Sequence, residues 1–190
     1  PLFYWSVKKA VEISKFDKII FSTDSKKYLN ILKKSLKKNK ILEKKIIYEL
    51  RNKNDAKDKT KIFDYIKNKL VKKKYLSDVD IIFQLLPTAP LRKTTTINKI
   101  LNLSIKKKIN VFSVSKYDFH VQFALEIEKL KWKPLFKRSP LITGKTRSQD
   151  QKIFYRPNPV GNCLWLRKNK INSKTIYDKA IPFITNPIES

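Results

Sequence analysis

The sequence is poor in residues on which several large protein classes depend. It has two glycines, Gly144 and Gly161, in 190 residues. A phosphate loop of the dinucleotide-binding or P-loop type places two or three glycines within about eight positions, so that backbone N–H groups can close on the phosphates. Neither loop can be built here. One cysteine, Cys163, allows no internal disulfide and no thiolate metal site. It sits in the apolar run Cys163-Leu164-Trp165-Leu166, which predicts a buried thiol, and a lone thiol fits a reducing, cytoplasmic setting. No apolar run approaches the length of a membrane span, so no membrane partner is expected. No paired-cysteine metal motif, nucleophile elbow or kinase signature is present.

Acidic residues are also few, 16 against 44 basic, for a net charge of +28. Such a balance invites a nucleic-acid reading. The composition of the charge argues against it. Only Arg51, Arg92, Arg138, Arg147, Arg156 and Arg167 are arginines; the rest are lysines. Arg supplies the planar fork that reads bases and phosphates in pairs. The lysines fall in runs such as Lys33-Lys34, Lys37-Lys38 and Lys72-Lys73-Lys74, where helices should face solvent. Their stems can cover apolar surface while the charge stays wet. Nucleic acid is therefore not the expected partner.

Helical and extended patterns alternate along the chain. Trp5 to Ser14 reads as a helix with Trp5, Ala10 and Ile13 inward. Lys18 to Phe21 reads as a strand ending in Ser22-Thr23-Asp24. Ser25 is a good helix cap, and Tyr28, Leu29, Leu32 and Leu36 follow at helical spacing. Lys45 to Leu50 is a second strand, and Thr60 to Leu70 a helix. Val79 to Leu85 is the clearest strand, apolar on both faces and so expected inside the sheet. Thr94, Thr95 and Thr96 open the next helix, and Asn110 to Val114 is a further strand. Strands separated by helices imply crossovers and a mostly parallel sheet. After Ser115 the rhythm changes: Val121 to Ile127 and Trp132 to Phe136 resemble antiparallel arms. Two more strands are expected around Ile153 to Tyr155 and Cys163 to Leu166. A short helix from Ser173 to Tyr177 and a strand from Ala180 to Ile184 complete the reading. No linker divides residues 1–190, and 116–152 is the best candidate for an inserted arm.

The run Gln84-Leu85-Leu86-Pro87-Thr88-Ala89-Pro90-Leu91-Arg92 follows the clearest strand. In open α/β sheets, ligands sit beyond the carboxyl ends of strands, so this stiff two-proline loop is well placed to hold one. It resembles the "QPTSPLR" loop of the acylneuraminate cytidylyltransferases, the CMP-sialic-acid synthetases and their relatives acting on other acidic sugars. Further stretches keep the family's order. Lys18 to Asp24 is similar to its "D-x-V-V-V-S-T-D". Leu50-Arg51 is similar to "L-R-P", and the spacing of Asp58 and Asp64 to "D-x-x-S-S-x-D". Arg147-Ser148-Gln149-Asp150 with Tyr155 and Asn158 is similar to "R-R-Q-D-x-P-x-x-Y-x-x-N-G".

The resemblance implies a three-layer α/β/α, Rossmann-like nucleotide-diphospho-sugar transferase fold with a dimerisation arm. It implies attack by a sugar's anomeric hydroxyl on the α-phosphate of CTP, with pyrophosphate leaving. CTP and an acidic nonulosonic sugar are then the ligands, Mg²⁺ the cofactor, and a second copy the partner. Arg51 and Thr88 are the implied nucleotide contacts. Arg147 and Gln149 are the implied sugar contacts, since an Arg and a Gln supply donors for a carboxylated polyol. Asp24, Arg92 and Asp150 are expected to brace turns and loops, and His120 to be structural. Pro1-Leu2-Phe3-Tyr4-Trp5-Ser6 looks like the segment after the family's "A-R-x-G-S-K" phosphate loop. Pro187-Ile188-Glu189-Ser190 looks like the residues before its metal-binding "I-D-I-D". The phosphate grip and the metal ligands are accordingly expected outside residues 1–190, and no catalytic residue is assigned within them.

Several positions depart from the family pattern. Leu86 stands where a Gln is expected, and Lys61 and Ile62 where paired serines are. These changes fit either an altered pocket or lost activity. Two other readings therefore stand beside the transferase: a noncatalytic sugar-binding or assembly relative, and a basic nucleic-acid-binding α/β protein.

Overall fold

The structure is a computed structural model and describes residues 1–41, 43–57, 59–167 and 170–190. Asp58, half of the predicted Asp58–Asp64 pair, lies outside the described residues. Helix α1, Leu2–Val11, buries Tyr4, Val7 and Ala10 at three-residue spacing. That stripe leaves Trp5 on the rim, half exposed rather than inward as its sequence position suggests. Strand β1, Ile19–Thr23, leads to α2, Lys26–Lys38. The Ser25 hydroxyl accepts the Tyr28 N–H and starts that helix, which buries Leu32 and Leu36 and turns its lysines outward. Strand β2, Ile46–Leu50, is followed by α3, Ile62–Asn68, and β3, Ile81–Gln84. Helix α4, Thr94–Lys107, ends on Lys108 in the left-handed region, at φ 52°.

The remaining elements are β4, Val111–Lys116, the short pair β5, Leu125–Glu128, and β6, Lys131–Pro134, α5, Pro140–Thr143, β7, Tyr155–Trp165, and β8, Ile181–Ile184. Ser173 to Tyr177 forms turns, not the expected helix. Side chains take the local backbone donors there: the Thr175 hydroxyl accepts the Tyr177 N–H and the Asp178 carboxylate accepts the Lys174 N–H. Such bonds compete with helix formation.

Among the described residues the strands form three sheets: β1–β2, β3–β7–β4–β8, and β5–β6. β1 and β2 are parallel, as are β4 and β8. β7 runs antiparallel to both β3 and β4. The sheet is thus mixed, which corrects the mostly parallel expectation. The reason lies in the connection. β7 returns after residues 117–154, where no long helix intervenes to enforce a parallel crossover. β3 stands at the end of its sheet, not inside it, because it pairs with β7 on one side only.

Helices cover both faces, giving three layers. On one face α3 and the turns after it pack on Ile20, Ile82, Leu164 and Leu166. On the other, α4 packs on Ile81, Phe83, Val111 and Cys163, while α1 and α2 pack on Phe21, Ile46 and Tyr48. The two-residue alternation of each strand assigns its side chains to the two layers. Cys163 is fully buried beneath α4, and burial pushes its thiol up to about 12 despite a bond from Ser104.

β7 runs through Pro157 and Pro159 and joins the two strands expected around Ile153 to Tyr155 and Cys163 to Leu166 into one. The ladder to β4 shifts register between Phe112 and Val114. Ser113 repairs it: its hydroxyl donates to the Asn158 carbonyl and accepts the Gly161 N–H.

Candidate functional site

Parallel strands β1, β2 and β3 end at one edge of the molecule. The loops bearing the predicted site residues leave from that edge. β7 starts there too, because its first residue, Tyr155, pairs with Lys116 at the end of β4. The topology therefore puts Asp24, Arg51, Thr88 and Arg92 in loops that leave from that edge, while the 147–150 turn lies in the segment ahead of β7.

The loop after β3 is held from within. Arg92 is 1% exposed. Its Nε donates to the Ala89 carbonyl at 2.7 Å and its Nη2 to the Leu86 carbonyl. Ser6 of α1 reaches the same carbonyl at 3.4 Å. Burial lowers the guanidinium to about 10, which leaves it charged at neutral pH. The arrangement presses Pro87 and Thr88 outward, and both are exposed. Leu86 thus contributes its backbone oxygen to the loop.

Arg51 follows β2, and its N–H donates to the Thr23 carbonyl at the end of β1. Its guanidinium lies over the Tyr65 ring, 5.3 Å from the centroid, and Nε is buried without a hydrogen-bond partner among the described residues. Beneath it sits a cluster that sequence reasoning missed. Glu49 is 8% exposed, and the Tyr75 hydroxyl donates to its Oε1 at 3.2 Å. Lys73 stands 3.9 Å from the same oxygen. Burial, and then the Glu49 carboxylate, pushes the Tyr75 phenol up to about 12 and raises Tyr65 as well. Glu49 alternates with Tyr48 and Leu50 in β2, so a polar residue on the inward α3 face was the available signal.

The other predicted residues are exposed. Arg147 faces Asp150 at 3.7 Å across the turn Ser148–Asp150. Gln151 closes that loop by donating to the Lys145 and Arg147 carbonyls. Gln149 is free at the surface. Asp24 is exposed, and the turn beside it is tied by Thr23, whose hydroxyl accepts the Ser25 N–H. Asp64, Lys61 and Ile62 lie at the exposed start of α3, and His120 is half-buried ahead of a short turn. A cleft of 690 Å³ runs between Leu2 and Trp5 of α1 and Pro90 to Thr95. It takes only Arg92 from the predicted set, and its lining is mainly apolar.

No family model matches the chain, and no curated protein sequence does. A solved structure of CMP:2-keto-3-deoxy-manno-octonic acid synthetase complexed with CTP matches over 97% of this chain and 79% of its own, with a TM-score of 0.56 and 10% identity. The chain shares the fold of that synthetase. Among the described residues no three His, Cys, Asp or Glu side chains gather to hold a metal ion. The described residues thus gather no all-protein cage for Mg²⁺. No described helix is long and apolar enough to cross a membrane.

Proposed function

We propose that residues 1–190 are one cytidylyltransferase-like domain that moves CMP from CTP to an acidic nonulosonic sugar. The anomeric oxygen bonds to the α-phosphorus, the bond to the bridging oxygen of the β-phosphate breaks, and pyrophosphate carries that electron pair away. The hydroxyl proton passes to solvent or a base. The supporting observation is the pair of strand-end loops: Arg51 after β2, and the Arg92-braced loop after β3 with Thr88 outward. Arg51 and Thr88 face the nucleotide in this reading, and Arg147 and Gln149 face the sugar carboxylate and hydroxyls. Asp24 and Asp150 shape their turns. No step is routed through Mg²⁺, for which the described residues gather no carboxylate cluster.

The arm, residues 116–152, is proposed to join two copies. β5 and β6 form a separate hairpin whose Ile127 and Trp132 are 75% and 58% exposed. Apolar and aromatic side chains of this kind anchor interface centres. A homodimer in the cytoplasm, where CTP is made, is the expected state.

The test is pyrophosphate release by the full-length protein with CTP and Mg²⁺ across a panel of acidic sugars. Release with one of them, and CTP favoured over ATP, is expected. Sugar binding without release would replace this reading with the noncatalytic relative. Tight, salt-sensitive binding to random duplex DNA without release would replace it with the polyanion reading.

A further inference from the structure

Ser22, Glu49 and Arg51 share one face of the β1–β2 pair. Ser22 and Glu49 are partners across the ladder. The pairing runs one step further, where the Arg51 N–H donates to the Thr23 carbonyl at 2.8 Å. Arg51 stands two residues beyond Glu49 and so projects on the same side. Tyr65 of α3 and Tyr75 cover that side.

The Glu49 carboxylate is buried there without a close ion pair. Oε1 accepts the Tyr75 hydroxyl at 3.2 Å, and the exposed Lys73 ammonium stands off at 3.9 Å. Oε2 is sealed and has no hydrogen-bond partner among the described residues. The Tyr65 phenol lies beside the carboxylate, which raises it in addition to burial. Burying such a charge costs free energy that an apolar side chain on the same face would not. Its field is poorly screened in the interior and reaches the guanidinium two residues along that face.

Arg51 shows the matching order. Its guanidinium lies over the Tyr65 ring, and its Nε is sealed on the inner side. Nη1 and Nη2 are neither sealed nor bonded among the described residues. The ring fixes the plane of the guanidinium, and the inward carboxylate attracts its inner edge. The outer edge is left as a fork set for phosphate or carbonyl oxygens before a ligand arrives.

We propose that Glu49 is a positioning residue for the nucleotide. Through the Tyr65 phenol and through its own charge, it holds Arg51 on the ring with Nη1 and Nη2 turned outward to CTP. Glu49 touches no ligand and acts only through Arg51. The inference rests on the reading of Arg51 as a nucleotide contact.

A double-mutant cycle on the full-length protein tests it, read by calorimetric titration with CTP. Glu49→Gln keeps the shape of the side chain and an acceptor for Tyr75, but removes the charge. Tyr65→Phe keeps the ring and removes the hydroxyl. With Arg51 present, Glu49→Gln should raise the Kd for CTP about 10-fold and Tyr65→Phe about 3-fold, as the loss of a held charged donor implies. With Arg51→Ala, each should change the Kd less than about twofold, because nothing is left to position. In the ligand-free protein, the Arg51 Nε–H should exchange with water about 10-fold faster in Glu49→Gln, as a group released from a sealed site does. Losses of equal size in both backgrounds would mark a general structural effect and overturn the proposal, as would an unchanged Nε–H. If Glu49→Gln does not fold, the Tyr65→Phe pair decides the question by the same comparison. Wild type that binds no CTP would strike the nucleotide reading of Arg51 itself. CTP binding without coupling would strike the role of Glu49 alone.

Discussion

The Glu189 carboxylate closes the N-terminus of α4, accepting the Thr96 hydroxyl at 3.0 Å across 93 positions of sequence. Its other oxygen accepts the Lys93 N–H, also at 3.0 Å. The cap residue Lys93 has no side-chain acceptor to offer, so an acid from the end of the chain serves the helix in its place. Glu189→Ala should destabilise the fold by about 1–3 kcal/mol, the combined loss of a cap and of buried pairing. Urea unfolding checks it. An unchanged midpoint would show that water caps α4 equally well.

Gly161 has no room for a side chain. A Cβ there would stand 2.5 Å from Phe83 Cε1 and 2.8 Å from its Cζ. Gly161→Ala should cost about 1–3 kcal/mol by overpacking. Adding Phe83→Leu should recover part of that loss, and thermal melts of the three variants measure the coupling.

The Tyr75 phenol titrates higher in the folded protein than unfolded, at about 12 against an ordinary 10.0. Its contribution to stability is complete below pH 10 and disappears as pH climbs to 12. Tyr75→Phe removes the titrating group, so the wild type should lose stability relative to the variant across that window. Paired denaturation curves at pH 9, 10, 11 and 12 follow the difference, which also cancels the shared loss of lysine charge.

Arg147→Ala should raise the KM for the acidic sugar about 10- to 100-fold, the loss of one charge-assisted bond worth about 1.5–3 kcal/mol. CTP binding should change little. Arg51→Ala should show the reverse pattern, and a titration of each variant with CTP alone separates the two. Equal effects of both changes on both ligands would remove the division of roles.

Ile127→Ser with Trp132→Ser should convert a dimer into a monomer in sedimentation without lowering the melting temperature, because neither side chain is part of the buried core.

Periodicity made the helices and strands through β4 legible in sequence, because each buries one stripe or alternates strictly. Leu32 with Leu36, and Ile97 with Ile100 and Leu101, are the stripes that declared α2 and α4. Strand direction left no such trace. β7 has the same composition whether it runs with β3 or against it, and its two expected strands are one because Ser113 bridges Asn158 and Gly161. The site was legible where a side chain carries the motif, as at Arg51 and the Arg147 turn. It was opaque where the backbone acts. Leu86 read as the loss of a polar side chain, whereas its carbonyl is where Arg92 and Ser6 converge. Glu49 went unnoticed because its importance comes from Tyr65 and Tyr75, which only folding brings beside it.

The burial of Cys163 makes it a clock. Alkylating reagents attack the thiolate, and this thiol is both sealed under α4 and held protonated far above neutral pH. Modification must wait for α4 to lift from the middle of β7. With iodoacetamide in excess, the rate at which the single sulfur is consumed counts those openings, without a dye, a probe or an introduced residue.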